Sequence, residues 1–323
     1  QYRAPSWLRR MNVSLVPFLR RWRALPGNVR GGVTMIIAAM FLSVMVALIK
    51  QAGSSLHVME ILFFRQLAMI MIAAPVIWSS FPQSLITQRP VLQAARIGTA
   101  FLAMLLGFTA IIHLPLAEAT TISFGKTFFI TILAIVLLGE TVGVRRWAAV
   151  AVGFVGVLIV AWPSGQTAVN VYGLLAIVSA ALVGFVMVLV RRLSQVDQPI
   201  TILSYQAFGV GLLMLPGAIW FWKTPTMSEF VVLAAIGGLA VVGQYLNILA
   251  LKSGEASAIA PIDYIRLVYA ILLGLWMFNE WPEPRVFIGS AIIVGAAVYT
   301  LHRERIVARV KTQSTVSRSG RVE

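Results

Sequence analysis

The 323-residue sequence has no cysteine, only three histidines, and 11 acidic residues against 26 Lys and Arg. Without Cys there are no disulfides, thiolate metal sites or cysteine nucleophiles, and His57, His113 and His302 offer no compact ligand spacing. Neither a metal nor a cofactor is expected. A G-x-x-x-x-G-K-[ST] phosphate loop is also missing, which argues against a built-in ATPase. Charged residues make up only 11% of the chain, too few for a soluble domain of this length.

What is present is apolar. Hydrophobic residues account for 59% and the mean hydropathy is +0.88, which puts the chain in a bilayer. A formal charge of +15 could be the footprint of a nucleic-acid partner. Half of the basic residues, however, precede Gly31 or follow Leu301, so they border a greasy core and no nucleic-acid partner is expected. Residues 1–30 hold seven Arg without an apolar run long enough for a signal-peptide core. They read as a basic cytoplasmic segment, either lying on an anionic surface or disordered. The tail 303–323 reads as basic and disordered.

A spanning helix needs about 20 mostly apolar residues. Ten stretches qualify: Gly32–Lys50, Val58–Ser79, Val91–Ile112, Ala117–Leu138, Trp147–Trp162, Val171–Val190, Ile200–Trp222, Phe230–Leu251, Ala258–Phe278 and Val286–Leu301. With the Arg-rich N-terminus inside, alternation puts Arg89, Arg145, Arg146, Arg191, Arg192 and Lys252 on the inner side with both termini. Only Lys50, Lys223 and Arg285 fall outside. The asymmetry predicts a multi-pass bacterial inner-membrane protein with both termini cytoplasmic.

Two stretches read alike at an offset of 140 residues, Ser123 to Glu140 and Asp263 to Glu280. The offset superposes Phe124 on Tyr264, Lys126 on Arg266, Glu140 on Glu280 and Arg145 on Arg285, and a small-residue helix follows each. The expected fold is an all-α membrane protein of ten transmembrane helices, arranged as five-span repeats over 31–163 and 164–302. Five is odd, so the second repeat must be inverted. Inverted repeats are a recurring construction of secondary transporters, with the substrate site near the midplane at the repeat interface.

Four cations fall within spans, where each costs about 2.5 to 3.5 kcal/mol and calls for a partner or a cavity: Arg65, Arg96, Lys126 and Arg266. Lys126 and Arg266 lie close to mid-bilayer on repeat-related segments, so they should flank one cavity. Asp263 is at i−3 from Arg266, on the same helical face. The pair either serves a substrate carboxylate and amine or only ties helices together. Arg65 either faces the cavity or snorkels outward, while Arg96, near the inner interface, suits anchoring. Tyr264 and Tyr269 bracket Arg266, and Tyr245 with Gln244 and Asn247 adds polar groups to the eighth span. The substrate-binding candidates are therefore Arg65, Lys126, Tyr245, Asp263, Tyr264, Arg266 and Tyr269. Gly153 with Gly156, and Gly289 with Gly295, form small faces that serve either the fold or a dimer, so a monomer or weak homodimer is expected.

The sequence resembles the drug/metabolite transporter superfamily in its ten-span form with two EamA-like repeats. Leu116-Ala-Glu-Ala-Thr-Thr121, Leu137-Leu-Gly-Glu140 with its small-residue helix, and Ala260-Pro-Ile-Asp-Tyr264 leading to Asn279-Glu280 carry the resemblance, from about Gly31 to His302. It implies a small-molecule substrate, alternating access and no enzymatic activity. The similar branch of amino-acid exporters, including those for aromatic amino acids, implies export of an amino acid. Lys126 and Arg266 depart from the general motif and favour an anionic group. That supports the alternative of uptake or exchange of a carboxylate or an S-adenosylmethionine-like nucleoside.

Overall fold

The computed structural model describes residues 25–79, 81–82, 85–138, 144–162, 171–253 and 259–299. Most of the basic N-terminal segment, the Glu140 turn and the C-terminal tail lie outside the described residues. Regular structure among the described residues is entirely helical. In chain order the helices are α1 (Gly27–Ala52), α2 (Val58–Ser79), α3 (Pro90–His113), α4 (Leu116–Ser123), α5 (Lys126–Leu138), α6 (Val144–Ala161), α7 (Val171–Leu193), α8 (Pro199–Trp220), α9 (Met227–Ser253), α10 (Ile265–Phe278) and α11 (Pro284–Tyr299). A 3₁₀ turn, Ala260–Tyr264, leads into α10.

The chain is a multi-spanning membrane protein, but the count of ten spans is corrected. Among the described residues, seven segments are long and apolar enough to cross a bilayer. These are α1, α3, Leu116–Leu137, α7, Thr201–Trp220, α9 and Pro261–Phe278. The expected fifth and tenth spans survive as shorter apolar helices, Trp147–Ala161 and α11, of 10–17 residues. At 1.5 Å per residue these reach no more than about 26 Å, short of a hydrocarbon core of about 30 Å. The expected second span is present as the continuous helix α2, which contains Glu60, Arg65 and Pro75.

A second correction concerns continuity. The expected fourth and ninth spans are not single helices. The fourth divides after Ser123, and Phe124-Gly125 turns through Phe124 N–H to Thr121 O (3.2 Å) and Gly125 N–H to Ile122 O (2.9 Å) before α5 begins at Lys126. The ninth starts as the tight turn at Pro261, which has no amide hydrogen to give a longer helix. Lys126 and Arg266 thus each stand in the first turn of a helix that follows a break.

α1 packs against α9 and α10, α3 against α7, α2 against α8 and α9, and α4 against α10. Large apolar side chains such as Leu212, Val136 and Trp276 point outward, as a lipid-facing surface requires. Trp78, Trp147, Trp162, Trp220, Trp222 and Trp281 are exposed near helix ends, the position of an interfacial belt. Glycine permits the closest approach between α6 and α11. A Cβ on Gly289 would meet Val160 Cγ2 at 2.3 Å and Gly156 O at 2.7 Å, and one on Gly153 would strike the Phe128 ring. These three glycines pack within the chain, whereas Gly295 has nothing within 4 Å of such a Cβ.

Candidate functional site

The breaks before α5 and α10 bring two sequence-predicted cations together. Asp263, in the 3₁₀ turn, lies 3.6 Å from Arg266 in the first turn of α10, and both side chains are 20% exposed. This ion pair is long. It leaves Asp263 Oδ1 and Arg266 Nε buried without a hydrogen-bond partner among the described residues. Lys126 opens α5, with its Nζ 5.7 Å from the centroid of the Phe124 ring, and makes no ion pair among the described residues. Arg266 and Asp263 are the charges that act on it. Two cations and one carboxylate therefore share a low-dielectric region at the starts of two helices. A group bearing a carboxylate would complete the set.

Tyr264 belongs to this cluster. Its ring lies 4.5 Å from that of Phe124 at an interplanar angle of 40°. Tyr269, one turn along α10 from Arg266, points its hydroxyl at Ile36 O (3.4 Å), so it ties α10 to α1. Arg65 is separate. Its guanidinium stands 5.9 Å from the Phe108 ring between α2 and α3, with Nε buried and unpartnered. Tyr245 is 61% exposed on α9 and is not drawn into the cluster.

Beside Arg266 is a cavity of about 10 Å³, lined by Ser43, Val46, Leu116, Thr120, Arg266 and Ala270. That is roughly the space of one water. The sequence reading did not single out Ser43 or Thr120. A hydroxyl in the middle of the first apolar run, and the Thr pair of the Leu116 to Thr121 motif, were the signals that could have found them. Arg96 is corrected from an interfacial anchor to a buried tie, donating through Nη1 to Ile202 O (3.1 Å) and through Nη2 to Gln206 Oε1 on α8. Glu60, also buried, accepts from Lys223 N–H at 3.4 Å.

Outside the spans, Asp197 accepts from Thr87 Oγ1 (2.6 Å), Gln88 N–H (2.9 Å) and Gln93 Nε2 (3.0 Å), joining the α2–α3 and α7–α8 connections. Burial works to raise its carboxyl pKa. The hydrogen bonds from Thr87, Gln88 and Gln93, helped by the Arg89 charge, outweigh burial and hold it below the ordinary carboxylate value.

The chain is 28% identical over 258 residues to the S-adenosylmethionine uptake transporter of Rickettsia bellii (strain RML369-C), covering 79% of this chain and 88% of that one. It is 28% identical over 278 residues to the pseudopaline exporter CntI of Pseudomonas aeruginosa (strain UCBPP-PA14), covering 83% and 95%. The riboflavin transporter of Brucella anthropi (strain ATCC 49188) is 25% identical over 257 residues, covering 77% and 89%. A solved crystal structure superposes with a TM-score of 0.59 at 22% identity, covering 86% of this chain and 98% of its own, and so shares the fold. The model of the EamA-like transporter family matches residues 29–162 and 171–301. These matches make the chain a multi-pass bacterial inner-membrane protein that carries out secondary transport of a small metabolite. By the two matched stretches, which cover most of its length, the chain belongs to the EamA-like transporter family.

Proposed function

We propose that this transporter takes up or exchanges a small charged metabolite that carries a carboxylate and a cationic centre, of the S-adenosylmethionine kind. The observation that carries the reading is the loose Asp263–Arg266 pair beside Lys126, which makes no ion pair among the described residues, where two helices begin inside the membrane. The two cations suit the carboxylate, and Asp263 suits an ammonium or sulfonium group. Tyr264 and Phe124 supply aromatic faces, which attract both a planar base and a cation. Arg65 beside Phe108 is a second cationic point for the path between the membrane faces, and Tyr245 and Tyr269 stand further from the charged cluster.

Amino-acid export, the reading drawn from the sequence, gives way to this one. The Rickettsia relatives are named for uptake of S-adenosylmethionine, and that molecule has both charges that the cluster can meet. Transport by alternating access follows from a two-fold exchange of the halves, with both termini in the cytoplasm. Contacts between repeat-related residues, set out in the Discussion, support that exchange.

Counterflow tests the proposal. Purified protein in liposomes loaded with unlabelled S-adenosylmethionine should accumulate labelled S-adenosylmethionine from outside. Excess S-adenosylhomocysteine, which lacks the sulfonium charge, should compete more weakly than S-adenosylmethionine. If loaded phenylalanine or methionine drives counterflow of its own label while S-adenosylmethionine neither moves nor competes, the amino-acid reading is restored and this one fails.

A further inference from the structure

At one end of the bundle, charges that the cluster around Arg266 does not use join the ends of separate helices. Lys50, at the end of α1, lies 2.5 Å from Glu280, just past α10, and its ammonium also donates to Leu114 O between α3 and α4. Glu280 accepts in turn from the Leu116 N–H at 2.7 Å. Arg285, at the start of α11, reaches Glu118 at 3.4 Å and Glu283 at 2.7 Å. Asn279, left-handed at φ 54°, ends α10 and turns the chain, and the Glu280 N–H then bonds back to Gly274 O at 3.0 Å.

Leu116 connects this network to the cavity. Its amide is held by Glu280, while its side chain is fully buried and forms part of the cavity wall beside Arg266 and Thr120. Ser43, also in the cavity lining, precedes Lys50 by seven residues, which places the network about 10 Å from the cavity along α1. An ion pair suits a closure that must reverse. The cost of drying two charges nearly offsets their attraction, so trading the pair for hydration at an opened end takes little free energy. Apolar packing of the same area would have no such return. The Lys50 and Glu280 side chains are 10% and 23% exposed, close enough to water for that exchange.

We infer that Lys50, Glu280 and the Leu114–Leu116 backbone form a latch that shuts the Arg266 cavity toward the membrane face where α1 and α10 end. Its part in a transport cycle rests on the reading of that cavity as the substrate site. The latch itself is testable without a substrate. In this Cys-free chain, Ser43→Cys puts a single thiol in the cavity wall, and Ser54→Cys, exposed in the α1–α2 turn, reports which face the latch occupies.

An impermeant methanethiosulfonate is applied to right-side-out and to inverted vesicles. Ser43→Cys should react slowly from the Ser54 face. It should react at least about tenfold faster from that face when combined with Glu280→Gln, or with Lys50→Met and Glu280→Gln together. Glu280→Gln keeps an acceptor for the Leu116 N–H and so holds the risk to folding low, and rates are compared only for protein that is monodisperse on size exclusion. Unchanged labelling in a folded variant, or an increase from the opposite face alone, overturns the latch. Failure of S-adenosylmethionine counterflow would instead count against the substrate and leave the latch in place.

Discussion

Phe124 and Tyr264 hold the same place in two motifs 140 residues apart, and their rings lie with centroids 4.5 Å apart. Gln66 and Gln206 repeat the relationship at the same separation, the Gln66 amide donating to Gln206 O (3.2 Å) and to the neighbouring Ala207 O (2.9 Å). Residues exchanged by a two-fold rotation can touch only near its axis, so two such contacts define a line through the bundle. The helix pairs follow the same exchange, since the packing of α1 on α9 corresponds to that of α7 on α3. An inverted repeat requires that line to lie in the membrane plane.

An inverted arrangement of the halves predicts that equivalent turns emerge on opposite faces. Ser54, after α1, and Ser194, after α7, are both exposed. Introduced singly as Cys, they should react with an impermeant thiol reagent from opposite sides, Ser54→Cys from outside and Ser194→Cys only after permeabilisation. Labelling of both from one side would dismiss the inverted reading, and the reverse pattern would turn the orientation over.

Much of this organisation was legible in the sequence because membrane burial taxes every charge. Lys126, Asp263 and Arg266 stood out as charges in apolar runs, and the structure brings them together. The break beneath Lys126 was not legible, because Phe124-Gly125 keeps the local composition apolar while the backbone changes course, whereas Pro261 marks in the sequence a place where the ninth span can bend. In the sequence Lys50 is a charge at the border of an outside connection and Glu280 is the repeat mate of Glu140 at a turn. Composition does not reveal that a cation at the end of one span and an acid at the end of another lean over the same cavity. Tyr245 shows the converse, since a polar residue in a span says nothing about which way its helix turns it.

Gly289 and Gly295 read alike in sequence, and the structure separates them. Gly289→Ala would push a methyl group into Val160 and the Gly156 carbonyl, and overpacking of this kind costs roughly 1 to 3 kcal/mol. Gly295→Ala meets open space and should be neutral or raise helix stability by about 0.5 to 1 kcal/mol. Thermal unfolding of the two variants in detergent checks this, and equal effects would contradict the close approach of α6 and α11.

Asp197 predicts a pH-dependent tie. Its carboxyl is held below the ordinary value, so the stabilisation is fully present above the unfolded-state value near 3.8 and is lost as pH falls through the lower folded-state value. Asp197→Asn should therefore cost roughly 1 to 3 kcal/mol at pH 7, through weakened bonds to Thr87, Gln88 and Gln93. The gap between variant and parent should shrink in the acid range below 3.8. Unfolding temperatures of both chains at neutral and acid pH measure it, and a gap that persists unchanged into acid would mean the carboxylate charge contributes nothing.

The charge cluster makes the most demanding prediction, because its substrate role and its purely structural role diverge under mutation. If Arg266 holds a substrate carboxylate, Arg266→Ala removes a charged hydrogen bond worth roughly 1.5 to 3 kcal/mol, about 10- to 150-fold in affinity. Arg266→Lys should restore only part of it, since a point charge cannot reproduce the guanidinium fork. Asp263→Asn should weaken substrates with a cationic centre more than simple carboxylates. If the 3.6 Å pair is only structural, each single neutral variant leaves a lone buried charge and loses folded protein, whereas the double variant Arg266→Ala with Asp263→Asn recovers folding and transport together. Lys126 refines the choice, because it has no ion-pair partner among the described residues. Lys126→Met therefore strands no opposite charge, and should fold well while weakening carboxylate binding. The measurement is counterflow in liposomes for all five variants, normalised to folded protein. Near wild-type transport by the folded double variant would remove Arg266 as the carboxylate clamp, and wild-type affinity in Lys126→Met would remove the second cation as well.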